Sequence, residues 1–131
     1  MSTLGEFYQS GDWKNEKHVP VIKCNNETSA DTPFDVIVSI GDEIPHPNTT
    51  EHHIRWIKLY FKPEDEKFIY ELGSYEFNSH GESVKGANEG PCFTEPHVVT
   101  KLKVKSSGKL IAASYCNIHG LWESSTDIKV V

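Results

Sequence analysis

The sequence lacks the features that would assign it to several common classes of protein. No stretch of its 131 residues approaches the roughly 18 to 20 apolar residues that a membrane-spanning helix needs, so we expect no membrane partner. Positive charge is also scarce. There are 13 lysines and arginines against 19 acidic residues, and the formal net charge of -6 argues against binding to nucleic acid or to an anionic membrane surface.

The N-terminal residues and the few cysteines indicate where the protein is located and how its cysteines are used. The N-terminal residues have neither the basic start nor the apolar core of a signal peptide, so we expect a cytoplasmic protein. The only cysteines are Cys24, Cys92 and Cys116. An odd number without a repeated spacing does not indicate a disulfide framework. In a cytosolic protein it favours metal binding or redox chemistry by one of them.

The organisation of the chain is simple, because no internal repeat, low-complexity tract or linker interrupts it. A chain of this length can bury a hydrophobic core that is stable without disulfide bonds, so we expect one domain over residues 1–131. Seven short runs have the composition of β-strands: residues 19–23, 34–41, 53–61, 68–77, 98–105, 110–115 and 126–131. Glycine, proline, asparagine and aspartate lie between these runs and supply the turns.

The strand runs predict the fold class. From Phe34 to Ile40, apolar residues alternate closely with polar ones, as in a strand with one buried face. No helix longer than an N-terminal turn or two is indicated. The pattern therefore predicts an all-β protein, an immunoglobulin-like β-sandwich of about seven strands with a short N-terminal helical segment.

The most informative motif follows the sixth of these runs. Cys116 and His119 are three residues apart, and a turn can place a thiolate and an imidazole on one side of a bend. Gly120 ends the motif and can adopt a positive φ. The alternative is that Cys116 is a small buried hydrophobic residue, which is the commoner fate of a lone cysteine.

Two further histidines lie in a loop before the third run. His46 has Pro45 and Pro47 on either side, which hold it in an extended, stiff conformation that loses little entropy on binding a metal. His52 and His53 are adjacent at the start of a strand and point to opposite faces, so one of them at most joins a common site. We assign His52 to the site; the alternative for His46 is an incidental histidine in a surface turn.

The remaining histidines divide into one candidate and three others. His18 follows Glu16 and Lys17, so a carboxylate and an ammonium accompany a candidate ligand. The alternative is a solvated charge run before a strand. We expect His53 to lie on a sheet face, exposed or hydrogen-bonded, and His80 and His97 to be loop histidines without a role.

Together the candidates comprise four imidazoles and one thiolate. Such a set exceeds the four ligands of a closed tetrahedral structural site. It suits a redox-active metal with one coordination position open to a small ligand, and it indicates iron.

Three segments, residues 16–20, 44–53 and 114–122, resemble the superoxide reductases. The resemblance is strongest to the one-iron neelaredoxin type, which is related to the iron-centre domain of desulfoferrodoxin, and it extends from about Gly11 to Glu123. It implies an immunoglobulin-like sandwich that holds one mononuclear non-haem iron per chain. Because no cysteine precedes Cys24, the second, four-cysteine iron domain of two-iron members is expected to be absent.

The resemblance also implies a role for each candidate. The equatorial iron ligands would be His18, His46, His52 and His119, and the axial ligand would be Cys116. Glu16 would occupy the sixth position of the oxidised iron, and Lys17 would attract the substrate.

The reaction implied by the resemblance is one-electron reduction of superoxide to hydrogen peroxide without production of dioxygen. A donor such as rubredoxin would restore the reduced iron, and one-iron members often form homotetramers. Three other interpretations stay open: a non-catalytic iron-binding or storage module, a β-sandwich adhesion domain with incidental histidines, and a zinc hydrolase. The last is disfavoured because zinc hydrolases normally use three protein ligands and a water.

Overall fold

The computed structural model describes all residues from Met1 to Val131 and consists of two β-sheets. A single 3₁₀ turn, Leu4–Glu6, precedes them. The eight strands are β1 (Val21–Cys24), β2 (Glu27–Thr28), β3 (Phe34–Ser39), β4 (Ile54–Pro63), β5 (Tyr70–Glu76), β6 (His97–Leu102), β7 (Gly108–Cys116) and β8 (Gly120–Val130). No helix in the structure has the length and apolar character needed to cross a lipid bilayer.

The smaller sheet has the strand order β1-β3-β6, and the larger has the order β2-β8-β7-β4-β5. Every strand pair is antiparallel except β2 with β8, which is parallel. The apolar residues that alternate along the strands face one another across the two sheets. Val36 and Val38 of the smaller sheet pack in one buried cluster with Ile57, Leu59 and Leu110 of the larger sheet. Burial of this alternating face is what joins the two layers.

The predicted fold class is confirmed, since the chain forms an all-β, two-sheet sandwich with one short N-terminal helical turn. Each of the seven predicted runs overlaps a strand. The prediction missed the two-residue strand β2 and the first half of β8. The missed part of β8 includes Glu123, Ser124 and Ser125, which are polar and give no alternating pattern.

Strand pairing determines which loops meet at one end of the larger sheet. Ile54, the first residue of β4, pairs with Cys116, the last residue of β7. The loop before β4 therefore lies beside the turn that joins β7 to β8. That turn ends at Gly120, which has a φ of 84° and so adopts a left-handed conformation that glycine accepts without strain.

The segment before β1 reaches the same end of the molecule. Ser114 of β7 donates a hydrogen bond to the carbonyl oxygen of His18 (3.4 Å), and Ser124 of β8 donates one to that of Pro20 (2.6 Å). Both serines lie on the larger sheet, so the first strand of the smaller sheet is tied to the larger one just where His18 is located. Three separate segments of the chain thus converge on one site.

Candidate metal centre

Four of the predicted ligands present their donor atoms to a common point. One ligand atom from each of His18, His52, Cys116 and His119 lies within 4.8 Å of all the others. His119 is at the centre of this group. Its Nδ1 is 3.0 Å from Nε2 of His18, 3.3 Å from Nε2 of His52 and 3.8 Å from Sγ of Cys116. Donor atoms this close together indicate a site for a single metal ion.

His46 lies against the same group. Its ring centroid is 4.9 Å from that of His18 and 4.8 Å from that of His52. Its Nδ1–H donates a hydrogen bond to the carbonyl oxygen of Pro47 at 2.7 Å, which leaves the lone pair on Nε2. That Nε2 is buried and has no hydrogen-bond partner. A buried polar atom without a partner is costly, and here a metal ion would satisfy it.

The protonation state of the imidazoles suits metal binding. Burial, against the opposing hydrogen bond to Pro47, and then the neighbouring charges of His18, His52 and Lys17 together lower the pKa of His46 to about 4. The pKa of His52 is also lowered, first by burial and then by the charge of His119. Both rings are therefore neutral near pH 7, the form in which histidine binds a metal.

Cys116 is fully buried at the end of β7. The backbone N–H of His119 points at its Sγ from 3.4 Å, so the turn supplies a hydrogen-bond donor to the sulfur. Hydrogen bonds of this kind stabilise a thiolate and tune a bound metal. His119 itself is exposed, which places the group at the protein surface.

Glu16 contacts His18 rather than the centre of the group. Its Oε1 accepts hydrogen bonds from Nδ1 of His18 at 2.5 Å and from the backbone N–H of the same residue at 3.0 Å. Because Nδ1 carries the proton, Nε2 of His18 presents its lone pair to the other donors. Partial burial opposes ionisation of Glu16, but the hydrogen bonds from His18 and the charge of Lys17 outweigh it and lower the pKa of this carboxyl.

Lys17 is half-buried and forms no salt bridge. Its positive charge contributes to the lowered pKa of both His46 and His52, so the ammonium acts electrostatically on the cluster. An unpaired cation next to a metal centre favours the approach of an anion.

The donor set fits one redox-active ion. Ring nitrogens of four histidines and the sulfur of one cysteine lie together, and a soft sulfur combined with nitrogen donors suits iron better than the hard cations calcium and magnesium, which prefer oxygen ligands.

Comparison with known proteins agrees with the geometry. Residues 10–125 match the desulfoferrodoxin family model. The chain is 61% identical over 120 residues to a neelaredoxin of Megalodesulfovibrio gigas, with 92% of each chain covered. It is 55% identical over 126 residues to a superoxide reductase of Pyrococcus furiosus, with coverage of 96% of this chain and 99% of that one.

A solved structure shows the same fold. The crystal structure of a Thermotoga maritima protein superposes with a TM-score of 0.97 at 54% identity, over 100% of this chain and 99% of that chain. The chain belongs to the desulfoferrodoxin family. The His/Cys cluster of this desulfoferrodoxin-family chain is accordingly suited to one mononuclear iron ion.

The structure adds to the site one residue, Trp122, for which no role was predicted. The indole of Trp122 stacks on the ring of His18 and donates a hydrogen bond from Nε1 to the carbonyl oxygen of His119 at 3.2 Å. Trp122 lies three residues after His119 within the same family motif, and this position could have indicated its role.

The three histidines set aside from the site differ from expectation. His80 was predicted to be a loop histidine without a role, but it is buried and stacks on His53, with ring centroids 3.5 Å apart and planes 4° apart. The ring of His80 is fixed in this position because its two nitrogens form hydrogen bonds with Asn48 Oδ1 (3.1 Å) and the carbonyl oxygen of Phe77 (2.7 Å). His97 was also predicted to be a loop histidine, but it is the first residue of β6, where it is exposed.

His53 is hydrogen-bonded through Nδ1 to the carbonyl oxygen of Thr49 at 2.8 Å, as expected, but it is buried in the loop one residue before β4 and does not lie on a sheet face. Its ring stacks on that of His80, whereas the ring of His52 lies beside those of the other candidate ligands. Cys24 and Cys92 are both free, the first half-buried in β1 and the second exposed.

Proposed function

We propose that this protein is a superoxide reductase, which converts superoxide to hydrogen peroxide by adding one electron and two protons and forms no dioxygen. The observation that carries the proposal is the convergence of four imidazoles and one thiolate at an accessible edge of the sandwich. The relatives named neelaredoxin and superoxide reductase support the same activity.

The residues that would hold the iron are His18, His46, His52 and His119 through their imidazoles and Cys116 through its sulfur. Three of the histidines offer Nε2, while His119 offers Nδ1, according to the contacts that each ring makes. Bound iron would supply the single electron that superoxide needs. The protein's part is to hold each ring in one tautomer, and the acceptors at Glu16 and Pro47 do this for His18 and His46.

Cys116 is proposed to be the electron-donating ligand. A buried thiolate gives electron density to a metal, as the axial cysteine of thiolate-ligated haem proteins does. The hydrogen bond from the backbone N–H of His119 moderates this donation and prevents the sulfur from carrying an unbalanced charge in a buried position.

Lys17 is proposed to attract superoxide and to order a proton-donating water beside it. The protein carries a formal net charge of -6, which repels an anion at long range. At physiological salt, charges beyond about 8 Å are largely screened, so a local unpaired cation outweighs the distant carboxylates. Lys17 meets this requirement because it forms no ion pair and lies next to His18.

Glu16 is proposed to have two positions. In the structure it orients His18 through Nδ1. Occupation of the sixth position of the oxidised iron by the same carboxylate, as in the superoxide reductases, stays a prediction.

We also propose an electron donor such as rubredoxin, a cytoplasmic location and a homo-oligomeric, tetrameric assembly. The exposed ring of His119 gives a reductant protein direct access to the cluster. The three free cysteines suit a reducing compartment.

The deciding experiment is product analysis on protein loaded anaerobically with one equivalent of ferrous iron. Superoxide should disappear with one peroxide formed for each superoxide consumed and with no dioxygen. Dioxygen together with half as much peroxide would instead indicate dismutation. Unchanged superoxide would indicate the non-catalytic iron-binding alternative.

A further inference from the structure

The loop that carries His52 and the turn that carries Cys116 are joined by one side chain, that of Asn117. Its Oδ1 accepts a hydrogen bond from the backbone N–H of His53 at 2.9 Å, and its Nδ2 donates one to the carbonyl oxygen of Glu51 at 2.9 Å. The carboxamide thus binds the peptide groups on both sides of His52.

The backbone of Asn117 adds a third bond to the same loop. Its N–H donates to the carbonyl oxygen of His53 at 3.2 Å. These three bonds are needed because β4 begins only at Ile54, so sheet pairing does not hold the residues before it. Within the loop, Thr49 closes a turn on His52 through backbone and side-chain contacts. Asn117 is what fixes that turn to the neighbouring segment.

The chemistry of the contacts requires an amide. Asparagine is short and presents one acceptor and one donor in a planar fork, which matches an N–H and a C=O that flank one residue. Aspartate would keep the acceptor but would place a carboxylate oxygen against the carbonyl of Glu51. Alanine would lose both contacts, and serine is too short to make the two together.

We propose that Asn117 is a positioning residue for the iron centre, which sets the place of His52 relative to Cys116 and His119. The inference rests on the proposed function only in taking these three residues as ligands of one iron. Nδ1 of His119 is 3.3 Å from Nε2 of His52, and Asn117 is covalently next to Cys116, so the spacing of donors from two segments depends on this amide.

Asn26 provides a matched control. Its Nδ2 also joins distant segments, with hydrogen bonds to Thr126 Oγ1 at 2.8 Å and to the carbonyl oxygen of Asp127 at 2.7 Å. These contacts lie near the far end of β8, away from Gly120 where the turn of the centre ends. Replacing Asn26 therefore removes comparable hydrogen bonds without touching a ligand segment.

The experiment compares Asn117→Ala, Asn117→Asp and Asn26→Ala with the unaltered protein, each loaded with one equivalent of iron. Iron affinity is measured by competition with a chelator, and the thiolate-to-ferric charge-transfer band is recorded after oxidation. We expect Asn117→Ala to lose about ten- to hundredfold in iron affinity and to shift the band, as loss of a contact that orients a ligand does. Asn117→Asp should lose less, and Asn26→Ala should match the unaltered protein.

Hydrogen exchange in the metal-free proteins provides a readout that does not depend on iron. The amide of His53 should exchange slowly in the unaltered protein and in Asn26→Ala, and faster in Asn117→Ala. Equal iron affinity and an identical band in Asn117→Ala and Asn26→Ala would overturn the proposal, as would a protein that binds no iron. An iron-loaded protein that leaves superoxide unchanged would contradict the proposed function alone, since affinity and band still report on Asn117.

Discussion

The indole ring of Trp122 lies almost parallel to the imidazole ring of His18, with 14° between the planes and 4.9 Å between the centroids. The same indole donates its Nε1–H to the carbonyl oxygen of His119. One side chain therefore contacts two proposed iron ligands whose positions are 101 residues apart in the sequence. The stack restrains one ring from its face, and the hydrogen bond restrains the backbone of the other.

Replacing Trp122 separates the two contacts. Trp122→Phe keeps a flat ring but loses the donor, so the metal-free protein should lose about 1 kcal/mol of unfolding free energy. Trp122→Ala should lose about 3–5 kcal/mol. Denaturant unfolding measures both, and chelator-driven release of iron should be faster in each variant. Trp56→Phe, which changes an indole that stacks on Tyr115, is the control, and release as slow in Trp122→Phe as in Trp56→Phe would contradict the prediction.

Changing Cys116 to serine should abolish the visible signature of the site. The variant is nearly isosteric, so the sandwich should fold, but a hard oxygen replaces the soft sulfur that favours electron donation. The oxidised iron protein should lose its thiolate-to-ferric absorption band, and its reaction with superoxide should slow by at least tenfold. Cys24→Ser is the control because that thiol lies in β1. Retention of the band in Cys116→Ser would exclude this residue as a ligand.

Lys17→Ala tests local attraction of the substrate. The rate with superoxide should fall about tenfold at low salt, and its dependence on ionic strength should become flatter, because the nearby cation is gone. Lys105→Ala changes the net charge equally, at a lysine 85% exposed and paired with Asp31. It lies before β7, whose nine residues separate it from Cys116 by roughly 30 Å. The rates with superoxide are measured by pulse radiolysis across a salt series. Equal rates in both variants would show that Lys17 has no part in the mechanism.

Two substitutions of Glu16 separate its contact with His18 from ligation of iron. Glu16→Gln keeps an oxygen acceptor for Nδ1 of His18 but replaces a carboxylate with a poor ligand. Glu16→Ala removes both. If the carboxylate binds the oxidised iron, both variants should alter the ferric spectrum while the reduced protein still consumes superoxide. A change in Glu16→Ala alone would assign Glu16 to orienting His18 only, and identical ferric spectra in all three proteins would exclude ligation.

The strands could be predicted from the sequence where one face is buried. The alternation from Phe34 to Ile40 marks β3, because each inward residue meets the larger sheet. β2 could not be predicted in this way. Its two residues are held by parallel pairing with Lys129 and Val130, a contact that depends on the three-dimensional course of the chain.

The candidate site also contains residues that could be predicted from the sequence and residues that could not. The candidate metal ligands are histidines and a cysteine that occur in short motifs. Their residue types and spacing were therefore enough to predict them from the sequence. The roles of Asn117 and Trp122 depend on which backbone groups lie opposite them after folding. The same holds for the stack of His53 on His80, two residues whose neighbours in sequence give no hint of contact.

The pairing of Ile54 with Cys116 has a consequence for the order of assembly. Neither the segment that ends at His18, nor the loop with His46 and His52, nor the turn with Cys116 and His119 offers a complete set of donors alone. High-affinity uptake of iron must therefore wait until the long-range strand contacts exist. A chain that retains the metal tightly is by that fact one that has completed its fold, which makes iron occupancy a measure of folding quality in any preparation.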